Sequence, residues 1–160
     1  MVRVVPVAPE WAEALMEGDA VFSARFGIPI EPGWSGFPEA LSLIRDYARS
    51  GRPREWGPHL FLDVADGALV GNGGWKGEPV DCAAELGYAV SPSRQRRGIA
   101  TFVVRELVER ARSAGVRAAI AHTLAEESAS TTVLQRCGFV KVGELVDPVD
   151  GPVWRWELRL

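Results

Sequence analysis

Arg94, Arg96 and Arg97 fall within four positions of one another, in a chain whose formal net charge is −3. They occupy a loop that ends at Gly98 and runs directly into a helical pattern. Ala100, Val103, Val104, Leu107, Val108 and Ala111 recur at the spacing of one apolar stripe between Gly98 and Ala114. The first amides of a helix have no partner one turn back, and the helix dipole favours negative charge there. The dipole contributes only about 0.3–1 kcal/mol, whereas a well-formed hydrogen bond to a charged group contributes about 1.5–3 kcal/mol. Directed amides and arginines would therefore dominate any anion binding. Gly98 lets the backbone approach a bound group closely, and Ala100 is small enough not to block it. The ligand described by Gln95, Arg96, Arg97, Gly98, Ile99 and Ala100 is a diphosphate. On the loop alone, an ordinary turn with solvated arginines accounts for these residues equally well.

Two better-known phosphate loops are excluded. A P-loop needs Gly-x-x-x-x-Gly-Lys-Ser/Thr, and no lysine follows Gly98. A dinucleotide fold needs Gly-x-Gly-x-x-Gly after its first strand, which is also absent.

The elements that must position this loop follow from local pattern. Val2 to Val7 is a β-branched run that reads as a first strand. Pro9 opens a helix whose stripe of Trp11, Ala14, Leu15 and Phe22 ends near Phe22, and Gly27 to Phe37 is a loop. A second helix runs from Pro38 to its stop at Gly51, and Arg52 to Pro58 is again a loop. His59–Ala65 and Ala68–Trp75 form a hairpin around Asp66-Gly67. Gly71, Gly73 and Gly74 in the return strand signal a bulge or a close backbone approach. Ala83–Val90 is a strand, Gly98–Ala114 a helix closed by Gly115, and Arg117–Thr123 a strand. Ser128 caps a short helix through Cys137, and strands Phe139–Val146 and Val153–Leu160 complete the chain. The order β-α-α-β-β-β-α-β-α-β-β predicts an α/β (α+β) domain with a mixed sheet of about seven strands and about four helices. The unit from Ala83 to Thr123 should be a parallel crossover.

At 160 residues the chain suits a single domain over 1–160, burying roughly 70% of its unfolded surface without staples. The negative balance argues against a nucleic-acid partner. Cys82 and Cys137 lack metal spacing and are expected as two buried thiols, with no metal site. Nothing from Met1 to Glu10 has the apolar run of a signal peptide or membrane span, so the expected location is the cytoplasm. His59 and His122 are expected as strand residues with satisfied hydrogen bonds.

Glu85-Leu86-Gly87-Tyr88-Ala89-Val90-Ser91-Pro92, followed by Gln95-Arg96-Arg97-Gly98-Ile99-Ala100-Thr101, resembles the acetyl-CoA signature of the GNAT acetyltransferase superfamily. That signature has the form Gln/Arg-x-x-Gly-x-Gly/Ala. Ala129-Ser130, Val133-Leu134 and Cys137-Gly138-Phe139 resemble the second cofactor helix and the strand after it. The branch containing the ribosomal-protein N-terminal acetyltransferases is the most similar one. The specific match covers Phe61 to Phe139.

The resemblance implies acetyl-CoA held between splayed parallel strands, as cosubstrate for transfer to a primary amine. Tyr88, Ala89 and Val90 would pair with the pantetheine arm as an added strand does. Amides from Gln95 to Ala100, with Thr101, would hold the diphosphate, and Ser130 would lie beside the pantetheine and thioester. Glu85 is the implied general base, since only a neutral amine attacks. Pairing with a neighbouring strand or an arginine is the other account of Glu85. Leu134 stands where many members have a tyrosine acid, and neither Tyr47 nor Tyr88 is expected to replace it. Ser130 or water is left to serve the departing thiolate. Glu127 stands where an asparagine commonly holds the pantetheine. Trp75 is expected to line the acceptor pocket, with Trp34 and Trp56 in loops that could cap it or simply plug the fold. A non-catalytic CoA-sensing module and an ATP- or GTP-binding protein are the competing readings, and a homodimer remains open.

Overall fold

The computed structural model describes residues 1–160. Its strands are β1 (Val2–Pro6), β2 (Pro58–Asp63), β3 (Leu69–Trp75), β4 (Ala83–Val90), β5 (Ala118–Leu124), β6 (Val140–Asp147) and β7 (Gly151–Arg159). Its helices are α1 (Pro9–Glu17), α2 (Asp19–Phe26), α3 (Ala40–Arg49), α4 (Ile99–Ser113) and α5 (Ala129–Arg136). The seven strands form one mixed sheet in the order β1-β2-β3-β4-β5-β7-β6. The chain thus has five helices instead of four. The helix expected from Pro9 to Phe22 is broken at Gly18, whose φ of 138° no helix accommodates, and a new helix starts at Asp19.

Both sheet faces are covered. On one, α4 and α5 bury Val103, Leu107 and Leu134 against Phe61, Leu86 and Ala119. On the other, the helices before β2 bury Leu15, Phe22 and Ile44 against Leu60, Leu62 and Leu69. The glycine-rich return strand has the expected irregularity. Phe61 faces Gly71 and Leu62 faces Leu69, so Val70 is the extra residue of a bulge. Gly73 lies so close to β4 that an added Cβ would sit 2.4 Å from the Gly87 carbonyl oxygen.

The crossover β4-α4-β5 is parallel, as its sequence predicts, but the pairing is short. Only Ala83–Ala118, Ala84–Ala119 and Glu85–Ile120 are matched. Beyond Glu85, β4 continues against β3 alone while β5 continues against β7. The sheet therefore opens between β4 and β5, with α4 starting beside the opening. One thiol departs from expectation: Cys82 is exposed, in a two-residue turn, and only Cys137 is partly covered. The turn places the Cys82 side chain on the outside because Val80 and Ala83 pair across it.

Candidate active site

The loop between β4 and α4 is held from beneath. The Gln95 side-chain amide donates to the Val90 carbonyl at 3.0 Å. Arg94 reaches back to Asp63 at 2.8 Å, Asp66 at 2.8 Å and Glu31 at 3.1 Å, with its side chain only 14% exposed. Ser93 donates to Glu31, and these bonds hold the Glu31 carboxyl below its usual range, Ser93 first and Arg94 next. Arg94 is therefore an anchor for the loop, despite its place in the sequence cluster. Arg96 and Arg97 are exposed.

Above the anchor the backbone is shaped for an anion. Arg96 has φ 62° and Gly98 φ 82°, so two left-handed residues alternate with ordinary ones and fold successive amides around a concavity. A non-glycine residue in that region costs about 1–2 kcal/mol, so the conformation at Arg96 is imposed by its surroundings. The first hydrogen bond of α4 runs from the Phe102 amide to the Gly98 carbonyl at 3.0 Å. None of the amides of Arg96, Arg97, Gly98, Ile99, Ala100 or Thr101 has a carbonyl partner. Six consecutive donors are thus left without partners where the sheet opens.

The free edge of β4 continues this surface. The Glu85 carbonyl accepts from the Lys76 amide and the Ser91 amide donates to the Val70 carbonyl, so the odd-numbered residues of β4 face β3. Antiparallel pairing alternates, which turns the amides and carbonyls of Tyr88 and Val90 toward the opening. The Val90 carbonyl is taken by Gln95. Of the three residues expected to pair with an extended ligand, Tyr88 and Val90 are on the open edge. Ala89 is not, because its carbonyl is turned to β3 beside Gly71.

The opening has two unlike sides. Glu85 lies on the face away from α4, with its side chain 29% exposed. Its carboxylate oxygen Oε2 is 2.6 Å from Lys76 Nζ and 3.3 Å from His122 Nδ1. Lys76 and His122 also lie near Asp147, whose carboxyl is held low by the amides of Asp150 and Val149 and further by those two side chains. On the α4 side, the Tyr88 hydroxyl donates to the Ser130 carbonyl at 3.1 Å and so spans the opening from β4 to α5. Burial pushes the Tyr88 phenol well above its ordinary pKa. Ser130 itself is exposed at the first turn of α5, whose start is fixed by a capping box between Ser128 and Thr131. Glu127 sits outside that cap, its carboxylate accepting from the Thr131 hydroxyl at 3.3 Å. Leu134 is fully buried.

The acetyltransferase (GNAT) family model matches residues 30–139, more than half of the chain. The chain belongs to the GNAT acetyltransferase family. No curated protein matches it. Among solved structures, the microcin C7 self-immunity acetyltransferase MccE, in complex with acetyl-CoA and AMP, superposes with a TM-score of 0.72 at 16% identity, over 99% of this chain and 92% of that one. Spermidine N-acetyltransferase from Vibrio cholerae, in complex with CoA and spermine, gives 0.63 at 17% identity, over 77% and 76%. A GNAT acetyltransferase from Streptococcus pneumoniae gives 0.66 at 13% identity, over the whole of both chains. At such identities the likeness is one of fold.

Within this GNAT domain the structure regroups several residues. Trp75 does not line the face that carries Glu85. It points with Leu86 toward α4, is 4% exposed, and stacks edge-on with Trp56 at 5.7 Å. Trp34 is a plug, 2% exposed, with its indole N–H on Asp19. His122 is brought to Glu85, and its signal was available: it lies two residues past Ile120, the partner of Glu85, and so on the same face. Lys76 carried no such signal. Tyr88, which the sequence did not lead one to place near Leu134's helix as a substitute tyrosine, reaches Ser130 on α5 from its position on β4. His59 is buried and satisfied, donating to the Gly57 carbonyl at 2.9 Å.

Proposed function

We propose that this protein moves an acetyl group from acetyl-CoA to a primary amine by direct attack on the thioester. The observation that carries the reading is the run of six unpaired amides from Arg96 to Thr101, placed where β4 and β5 part. Donors in this number suit a diphosphate, and Arg96 and Arg97 stand beside them with exposed guanidinium groups. The free edge at Tyr88 and Val90 suits the two amides of a pantetheine arm, added as a strand would be. MccE bound to acetyl-CoA and the Vibrio enzyme bound to CoA share the fold, which supports the same ligand here.

The thioester supplies an activated acetyl carbon. The acceptor nitrogen forms the new bond, the carbon–sulfur bond breaks, and the nitrogen loses one proton. Glu85 is the group on the open face that would take that proton, directly or through a water, with His122 beside it to pass it on. An α-amine needs little such help and a lysine-type amine needs more, their ordinary pKa values being about 8 and about 10.4. At the leaving sulfur, Tyr88 would serve beside Ser130, its O–H turning from the Ser130 carbonyl to the sulfur. A phenol held above its ordinary value of about 10 cannot give its proton outright to a thiolate of pKa about 8.5. Tyr88 would donate a hydrogen bond, and the thiolate would draw its proton from solvent.

The acceptor in this reading is a protein N-terminus or a small amine. The first is what a resemblance to the N-terminal acetyltransferase branch would imply, and the second is supported by the spermine in the Vibrio complex. The cytoplasm supplies acetyl-CoA, and no helix is long and apolar enough to cross a membrane. Calorimetry should show CoA binding at least tenfold tighter than ATP. Acetyl-CoA with a panel of peptides and polyamines should release free thiol. Tighter binding of ATP, or no thiol release with any amine from protein that binds CoA, would overturn the reading.

A further inference from the structure

Lys76 and Lys141 are the only lysines of the chain, every other basic residue of its eighteen being arginine. Lys76 is fixed at the candidate active site by its own backbone. Its amide donates to the Glu85 carbonyl at 2.8 Å, which sets it opposite Glu85 one residue past the end of β3. Its side chain then turns back over β4. A Cβ added at Gly87 would lie 3.6 Å from Lys76 Cε, so the missing side chain at Gly87 leaves the stem its path. The ammonium ends 2.6 Å from Glu85 Oε2, at the level where β4 and β5 separate. A primary amine thus already stands against the carboxylate that would take an acceptor's proton.

From this geometry we infer that Lys76 is an intramolecular acetyl acceptor, so that the enzyme modifies itself at this residue. The inference rests on the acetyl-CoA reading given above. Glu85 takes one proton from the Lys76 ammonium, the freed amine bonds to the acetyl carbon, and the carbon–sulfur bond breaks to release CoA as the thiolate. The nitrogen then sheds its second proton, both protons pass to solvent, the first by way of Glu85, and the product is a neutral amide. That product cannot keep the ion pair, so Glu85 becomes available to external amines, and an external amine bound first protects Lys76. Lys141 gauges the uncatalysed reaction. It is a lysine ion-paired with Glu144 at 2.7 Å, its ammonium also over the Trp154 ring, on β6 and separated from β5 by β7.

The full-length protein is incubated with acetyl-CoA bearing a deuterated acetyl group, and its peptides are weighed by mass spectrometry. Label should enter Lys76 at least tenfold faster than Lys141, at a fractional rate independent of protein concentration. It should fall to the Lys141 level in Glu85→Gln and in Gly98→Val. Equal labelling of the two lysines overturns the inference, as does a rate rising with protein concentration or labelling that survives in Gly98→Val. CoA calorimetry and thiol release with external amines on the same sample separate the two ideas. If both succeed while Lys76 stays unlabelled, self-acetylation alone is refuted. If CoA does not bind, both fall.

Discussion

The two walls of the opening between β4 and β5 are built on different principles. The wall leading into α4 is made of backbone: six amides, two left-handed residues and the free edge of β4, all within residues 86–101. The facing wall is made of side chains that meet from four parts of the chain, at Lys76, Glu85, His122 and Asp147. The first wall depends on conformation and tolerates many side chains. The second depends on particular functional groups and tolerates changes of backbone only where their distances survive. One change on each wall should therefore fail in a different measurement.

The largest expected effect is on the side-chain wall. Glu85→Gln keeps the size and removes the base, so kcat/KM at pH 7 should fall about 100- to 1,000-fold, within the usual range for a lost general base. CoA affinity should stay within about twofold of the parent, as read by calorimetry. Unchanged turnover would remove Glu85 from the mechanism and leave the carboxylate a partner of Lys76 and nothing more.

Gly98→Val tests the backbone wall. At φ 82° a β-branched residue is strained, and its Cβ would meet only Met1 Cε at 3.7 Å within the protein. The side chain meets little inside the fold, but its bulk and its backbone strain would disturb the run of unpaired amides from Arg96 to Thr101. CoA affinity should drop about 100-fold, close to 2.7 kcal/mol. Affinity held within threefold would remove the amide run from the binding site.

The walls also differ from the interior behind them in how they meet protons. His59, in the antiparallel half, is pulled down to about 4 by burial, against an ordinary value of 6.5. Its folded form is neutral, so its contribution is intact above pH 6.5 and is lost as pH falls toward 4, where the unfolded chain holds the extra proton. Urea titrations should show about 2 kcal/mol less stability at pH 5 than at pH 7. Glu31 and Asp66, whose carboxyls are held low in the folded protein, lose their share only as they titrate below that window. His59→Leu in a His122→Asn background should flatten the profile between pH 7 and 5. A slope that persists there would assign the effect elsewhere.

Tyr88→Phe should cost less. Removing a hydrogen-bond donor from a thiolate that can leave unaided should slow turnover about tenfold or less, near 1.4 kcal/mol. The acid limb of the pH–rate profile should not move, since the phenol does not titrate there. A loss of 1,000-fold with a displaced basic limb would instead make Tyr88 a true acid.

Contiguity explains what the sequence revealed. Strand, basic loop, Gly98 and striped helix follow one another from Ala83 to Ser113, and so they were legible as a unit. The mixed seven-stranded sheet followed from apolar periodicity and turn residues. The anchoring role of Arg94 was not legible, because its partners Glu31, Asp63 and Asp66 lie far away in sequence. Trp75 is turned away from the face of Glu85 because it pairs with Leu86 across β3 and β4, a register that local pattern does not give. The meeting of Lys76 with Glu85 depends on a hairpin whose two turn residues, Asp81 and Cys82, carry no glycine to announce it.

That hairpin carries the smallest expected effect. Asp81 has φ 52° and Cys82 φ 60°, a conformation that aspartate tolerates and cysteine does not favour. The turn is nevertheless fixed from both sides. Val80 and Ala83 exchange hydrogen bonds across it, and the Cys82 carbonyl accepts from Arg117 at 2.8 Å and Ala118 at 3.2 Å, starting the parallel pairing that ends at Glu85. Cys82→Gly relieves the strain at a small cost in unfolded-chain entropy, and the exposed thiol has no contact to lose by burial. Stability should rise by about 0.5–1 kcal/mol, visible as a higher Tm, with kcat/KM within twofold because the carbonyl stays in place. A fall in Tm together with a loss of turnover would show that the stiffness of Cys82 is itself what holds Lys76 and Glu85 in register. The side-chain wall would then depend on backbone strain as much as the amide wall does.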